Sequence, residues 1–224
     1  GEMFIFAGYM GNDDFSRLEL SLPAAQANYR YFRSLLESDT RMLVLVKANA
    51  YGHGAVEFAG MMQQAGANYL AVALPVEGIE LRRAGISMPV MVLTSGTDFF
   101  EEMADYRLEP SIPNLDTLKA LVDVLERRGI TGFPIHVKLD TGMHRLGFMT
   151  EELPELLRYL SGCDRVKVVS CFSHLAVAED PAQDDFTLSQ IRLFERNATA
   201  LGDALGYKPM WHILNSAGIE RFPQ

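Results

Sequence analysis

The chain has 224 residues and a formal net charge of −9, with 48% of its residues hydrophobic and 22% charged. That is ordinary globular usage, long enough to bury a full core without staples or metals in one large domain or two small ones. The acidic balance argues against a nonspecific nucleic-acid or anionic-membrane binder, and two cysteines, Cys163 and Cys171, read as a reduced cytoplasmic protein rather than a disulfide framework.

Residues 1–15 open on Gly1 instead of Met and read as a tag or linker remnant, or a cut from a longer chain, so the domain is expected over 16–224. The apolar run 4–10 is too short for a membrane span and has no basic residue ahead of it as a signal peptide would. Residues 18–22 alternate as a strand, and 24–36 read as a helix. Short apolar strands are then predicted over 43–47, 69–73, 89–93, 108–112, 134–139, 166–172 and 210–214. Helical periodicity covers 56–65, 76–84, 114–128 and 185–205. Gly66, Gly85 and Gly129 stand as C-terminal stops after the first three of these. This rhythm predicts a parallel sheet with helices outside it. Both a doubly wound sheet and a (β/α)8 barrel fit the periodicity. The barrel needs eight strands, whereas the chain ends ten residues after the seventh.

The chemistry-bearing residues fall just past strand ends, the face that carries active sites in α/β proteins: Lys47, Lys138 and Asp140, His174, and Asn215 with Ser216. Lys47 closes an apolar run expected to be buried on both sides. There it would lose hydration, and its free amine could attack an aldehyde or ketone. The alternative is a strand-end lysine whose amine reaches water. Small residues after it, Ala48-Asn49-Ala50-Tyr51-Gly52, let the backbone approach a bound group, and Tyr51 offers a hydroxyl. His53 has no histidine partner at zinc spacing, so no metal is expected. Arg145, in the loop after the strand over 134–139, has the geometry to clamp a carboxylate. Lys138 beside it requires an intervening anion or a neutralised amine. His174 offers a ring that could stack on a planar group, or is a satisfied core histidine.

Four segments in order carry a family resemblance: 46–54 (Val-Lys-Ala-Asn-Ala-Tyr-Gly-His-Gly), 138–147 (Lys-Leu-Asp-Thr-Gly-Met-His-Arg-Leu-Gly), 173–176 (Ser-His-Leu-Ala) and 215–218 (Asn-Ser-Ala-Gly). From about residue 16 onward the chain resembles the alanine racemases. The resemblance implies an α/β (β/α)8 TIM-type barrel that holds pyridoxal phosphate, with the family's eighth strand and C-terminal β domain absent from these residues. It implies that Lys47 holds the cofactor and acts as the base on one substrate face. Tyr51, Asn215 and Ser216 then bind the cofactor, Tyr51 near its phosphate and Ser216 on it, and His174 lies near the pyridine ring. Arg145 orients the substrate carboxylate, and Lys138 matches a lysine carbamylated in many members. The implied reaction interconverts L-alanine and D-alanine for peptidoglycan precursors in a homodimer whose partner supplies the opposite proton donor, a tyrosine. These residues alone are then expected to be inactive. Two other readings compete: a single-domain pyridoxal-phosphate-binding homeostasis protein, and a noncatalytic barrel fused to a cell-wall ligase. The first lacks the 46–54 motif.

Overall fold

The computed structural model describes residues 4–6 and 19–222. The chain divides into two compact units, one comprising residues 1–94 with 103–108 and the other residues 95–102 with 109–224. Among the described residues no helix is long and apolar enough to cross a membrane.

In the first unit, β1 (Phe4–Phe6) pairs antiparallel with β2 (Glu19–Ser21). Part of the stretch expected to be a tag or linker thus enters a strand pair; the rest of residues 1–15 lies outside the described residues. Ser21 caps α1 (Leu22–Ser34), its hydroxyl accepting from the Ala24 amide at 3.4 Å, with Pro23 in the first turn where no amide is needed. The parallel ladder β3 (Leu43–Leu45), β4 (Tyr69–Val72) and β5 (Val90–Val92) follows, with Val44 opposite Leu70 and Ala71 opposite Met91. Between the first two strands lie α2 (Lys47–Tyr51), a single turn, and α3 (Ala55–Gln64); α4 (Pro75–Arg83) precedes β5. Leu70, Ala71, Val72, Val90, Met91 and Val92 are fully buried, as parallel strands covered on both faces should be.

β3 departs from that pattern. Leu43, Val44 and Leu45 are only half-buried, and the strand ends at Leu45, two residues before Lys47. The expectation of a run buried on both sides and ending in lysine is corrected here. Within this ladder β3 pairs only with β4, and Val46 alone of the run is sealed.

The second unit holds α5 (Phe100–Asp105), shared with the first at its C-terminal end, and the parallel ladder β6 (Glu109–Ile112), β7 (Phe133–Lys138), β8 (Val166–Phe172) and β9 (Met210–His212). Asn114 caps α6 (Leu115–Arg127) by accepting from the Thr117 amide at 2.9 Å. Its fully buried face is Leu118, Leu121 and Leu125. Gly129 follows at φ 66°, as Gly66 and Gly85 follow α3 and α4 at 87° and 88°. α7 (Leu153–Ser161), α8 (Asp184–Leu205) and α9 (Ser216–Arg221) complete the unit. Helices α5, α7 and α9 are absent from the sequence expectations. α5 and α9 have six residues each, too few for a 3.6-residue period to show. α7 was legible: Leu153, Leu156 and Leu160 form its buried stripe at helical spacing. Both cysteines are free, and burial pushes the Cys171 thiol up to about 12, so it is no thiolate nucleophile at neutral pH.

Candidate active site

Unit one holds the lysine turn. Val46 donates its amide to the Ala71 carbonyl at 2.8 Å, ending the ladder, and Lys47 begins α2. Within α2 the chain turns left-handed: φ is 51° at Ala48, 55° at Asn49, 52° at Ala50 and 56° at Tyr51. L residues in a left-handed turn cost roughly 1–2 kcal/mol each. Hydrogen bonds hold the strain. Ala50 donates to the Val46 carbonyl at 2.9 Å and Gly52, at φ 88°, to the Ala48 carbonyl at 3.0 Å. Asn49 Oδ1 accepts from the Ala55 amide at 2.8 Å, and His53 Nδ1 lies 2.8 Å from the Ala50 carbonyl. The His53 ring also stacks on Phe58, which gives it a structural place. Glu77 accepts from the Ala48 amide at 2.6 Å on Oε1 and from Ala73 and Leu74 at 2.7 and 2.9 Å on Oε2.

Lys47 is half-buried, and its amine lies 5.9 Å from the centroid of the exposed Tyr51 ring. Among the described residues the amine has no hydrogen bond or ion pair. An amine held on a strained turn without an internal acceptor is available to an external partner.

Unit two by itself holds a row of side chains set by strand register. Ser111 pairs with His136, His136 with Ser170, Lys138 with Phe172, and Phe172 with His212. With a two-residue period these residues share one face of the ladder. Glu109 Oε2 lies 2.9 Å from His136 Nε2, His136 Nδ1 lies 2.6 Å from Ser170 Oγ, and that oxygen lies 3.1 Å from His212 Nε2. Ser170 can donate to one imidazole while accepting from the other, which satisfies a buried hydroxyl. The His212 ring stacks flat on Phe172 at 4.9 Å, and Lys138 Nζ lies 5.5 Å from the same Phe172 ring. Lys138 is 9% exposed, so its stem is buried along the apolar ladder. His136, Ser170, His212 and Glu109 escaped the sequence reading; Glu109 with Ser111 in β6 and His136 with Lys138 in β7 alternate with apolar residues, which was the available signal, while β8 and β9 offer none for Ser170 and His212.

His212 is half-buried as a residue, yet desolvation of its ring, with His136 adding repulsion, holds its pKa down to about 3. The unfolded chain therefore binds a proton below about pH 6.5 that the folded chain refuses, and stability falls by about 1.4 kcal/mol per pH unit from there toward about pH 3. Urea unfolding at about pH 7 and pH 5 is expected to show this loss in the parent and about 2 kcal/mol less of it in His212→Gln. An equal loss in both overturns the assignment.

The loop after β7 is built on Asp140. Its Oδ1 accepts from the Gly142 and His144 amides at 2.9 and 3.1 Å, and His144 Nδ1 lies 3.3 Å from Oδ2. Burial raises the Asp140 carboxyl, but the two amides and the His144 ring outweigh it and leave it below the usual carboxylate range. The loop closes where Asp140 donates to the Phe148 carbonyl at 2.9 Å and Phe148 to the Lys138 carbonyl at 2.8 Å. Arg145 is exposed within it. Because the folded pKa is depressed, this stabilisation is full above the unfolded value and is lost as pH falls through the folded one. Asp140→Asn is expected to lose roughly 1–3 kcal/mol at neutral pH and to narrow its deficit as pH falls below the ordinary carboxylate range, read by chemical unfolding.

Further along, the half-buried His174 accepts on its carbonyl from Gln190 Nε2 at 3.2 Å. Asn215 caps α9, its Oδ1 accepting from Gly218 at 2.9 Å and its Nδ2 donating to the Leu175 carbonyl at 3.3 Å. Both ends of that amide are thus engaged within the protein, while the neighbouring Ser216 is exposed. Unit two accordingly gathers Lys138, Asp140, Arg145, His174, Asn215 and Ser216 in or just beyond the C-terminal ends of its strands, and unit one does the same with Lys47 and Tyr51.

Residues 20–224 match the family model described as alanine racemase, N-terminal domain. The alanine racemase of Synechocystis sp. is 36% identical over 202 residues, covering 89% of this chain and 54% of the relative. That of Nostoc sp. is 36% identical over 211 residues, covering 92% and 54%. Among solved structures, alanine racemase of Clostridium difficile 630 matches with a TM-score of 0.84 at 31% identity, covering 91% of this chain and 53% of that one. The enzyme from Streptomyces lavendulae matches with a TM-score of 0.85 at 30% identity, covering 90% and 53%. The chain spans about half the length of the curated relatives it matches. These likenesses decide between the two sheet architectures open to the sequence: the fold class is a partial (β/α)8 barrel.

Proposed function

Because the chain belongs to the alanine racemase family, of which it spans the N-terminal domain, we propose that the full-length protein is a pyridoxal-phosphate-dependent racemase. It interconverts L- and D-alanine for peptidoglycan precursors, as a homodimer, with residues 16–224 as its cofactor-binding barrel domain. The observation that carries this reading is the half-buried Lys47, whose amine has no hydrogen-bond acceptor among the described residues, on the strained turn after β3.

The residues present fit a phosphorylated aldehyde. An unengaged amine suits the carbonyl carbon, and the exposed Tyr51 and Ser216 hydroxyls are donors suited to a phosphate. Lys47 would hold the cofactor covalently, Tyr51 and Ser216 would bind its phosphate, and His174 would lie near its ring. Asn215 would act through the α9 cap, fixing where Ser216 stands. Pyridoxal phosphate held there would supply an electron sink that acidifies the α-proton of alanine. Lys47 Nζ, freed when the substrate amine replaces it on the cofactor carbon, would take or return that proton on one face. Arg145 orients the substrate carboxylate through paired N–H donors. Lys138, carbamylated, would present an anion to Arg145 and remove the conflict between two cations.

Borohydride reduction of the full-length protein with pyridoxal phosphate, followed by peptide mapping, is expected to place the label on Lys47. A label on Lys138 or any other lysine overturns the assignment. The two cations are separable by kinetics. Arg145→Ala is expected to lower kcat/KM about ten- to a hundredfold, since a contact to a charged group is worth roughly 1.5–3 kcal/mol. Lys138→Ala is expected to be partly rescued by chloride or acetate at fixed ionic strength. A Lys138→Ala variant indifferent to anions, with Arg145→Ala near the parent rate, contradicts these roles.

A further inference from the structure

We propose that Glu77 is a positioning residue for Lys47, its carboxylate holding the strained lysine turn in register with the start of α4. The proposal rests on the reading of Lys47 as the cofactor lysine. A helical turn leaves its first amides without an acceptor of their own. For α2 the Ala48 amide is one of these, and Glu77 Oε1, 29 residues along the chain, takes it at 2.6 Å. The Ala48 N–H lies in the peptide plane that contains the Lys47 carbonyl. Pinning that plane sets ψ of Lys47 and so the direction in which its side chain leaves the backbone.

The other oxygen does ordinary work. Oε2 takes the Leu74 amide at 2.9 Å, the reach of a third-position glutamate back to its helix start, and the Ala73 amide at 2.7 Å. A cap alone would need only that oxygen. A carboxylate has two acceptor oxygens and no donor, so one side chain serves the α4 start and the lysine turn together. Four successive non-glycine residues at φ 51° to 56° make the turn unfavourable without outside support. Glu77 is half-buried, which limits water as a substitute acceptor.

Glutamine separates the two tasks. Its single carbonyl oxygen can keep the α4 start, but its NH2 then faces the Ala48 N–H, donor against donor. In the full-length protein freed of cofactor, Glu77→Gln is expected to speed hydrogen exchange at Ala48 by roughly tenfold or more, with a smaller change at Leu74. When pyridoxal phosphate is added back, attachment to Lys47, followed by absorbance and trapped with borohydride, is expected to slow by a similar factor. Glu77→Asp keeps an acceptor-only group one methylene shorter and should fall between; it is the variant to read if Glu77→Gln does not fold. A melting temperature lowered in either variant, with Ala48 exchange and attachment rate within twofold of the parent, reduces Glu77 to a helix cap and overturns the proposal. Mapping the label in the parent keeps the two readings apart. A label on Lys47 with an unchanged rate in Glu77→Gln defeats the role of Glu77 alone, whereas a label elsewhere in the parent defeats the functional reading.

Discussion

Lys47→Arg in the full-length protein is expected to abolish covalent cofactor attachment and to lower alanine racemisation by at least about a thousandfold, the scale of losing a nucleophile and proton-transfer group together. Arginine keeps the positive charge 5.9 Å from the Tyr51 ring, so the cation–aromatic contact can persist. It stays protonated at any working pH and offers no free amine. Because the Lys47 amine has no hydrogen bond or ion pair among the described residues, folding stability should remain within about 0.5 kcal/mol of the parent. Urea unfolding and an absorbance scan of the same preparation separate the two effects. Turnover within tenfold of the parent would exclude Lys47 as the cofactor lysine and leave the site to another residue.

Gly147→Ala is expected to be the most damaging small substitution in the loop that carries Arg145. Gly147 sits at φ 126°, and a Cβ there would stand 2.7 Å from the Asp140 amide nitrogen, 2.8 Å from the Leu139 carbonyl carbon and 3.1 Å from the Lys138 carbonyl oxygen. All three are backbone atoms of the segment that closes the loop, so no side chain can swing aside. Relief requires moving Asp140 or Phe148, which breaks the paired hydrogen bonds between 138–140 and 148. Backbone strain and overpacking together put the cost at about 2–5 kcal/mol. Gly129→Ala is the matched control: φ is 66° and nothing lies within 4 Å of an added Cβ, so only the conformational cost of roughly 1 kcal/mol applies. The measurement is the difference between the two unfolding free energies. Equal losses would mean that the loop relaxes freely around residue 147.

The candidate site is unevenly visible in the sequence. Lys47, Tyr51, Lys138, Arg145, His174 and Ser216 are identifiable from local motifs because each ends or follows a strand that declares itself by apolar content. Asn215 is visible in the same way, but its hydrogen bonds to Gly218 and Leu175, which hold the start of α9, are not. Glu77 sits in a helix start that reads as an ordinary cap, and nothing local says that its second oxygen crosses to Ala48. The histidine network is hidden for the same reason, since His136 and Ser170 are 34 residues apart and Ser170 and His212 are 42 apart. Only ladder register brings them together.

Local sequence suffices for the order of strands and helices, since apolar periodicity and glycine stops act within one or two turns of chain. The strands over β4 to β9 and helices α1, α3, α4, α6 and α8 accordingly lie within two residues of where periodicity puts them. Three things waited for the tertiary structure. The half-exposure of β3 depends on how many strands cover it, which residues 43–47 do not encode. The row of Lys138, Phe172 and His212 depends on pairing between distant strands. The left-handed turn after Lys47 runs against local preference, because Ala48, Ala50 and Tyr51 each favour the right-handed region. Its hydrogen bonds to Glu77 and Ala55 come from residues outside the turn, and those bonds outweigh the steric cost that governs the isolated segment.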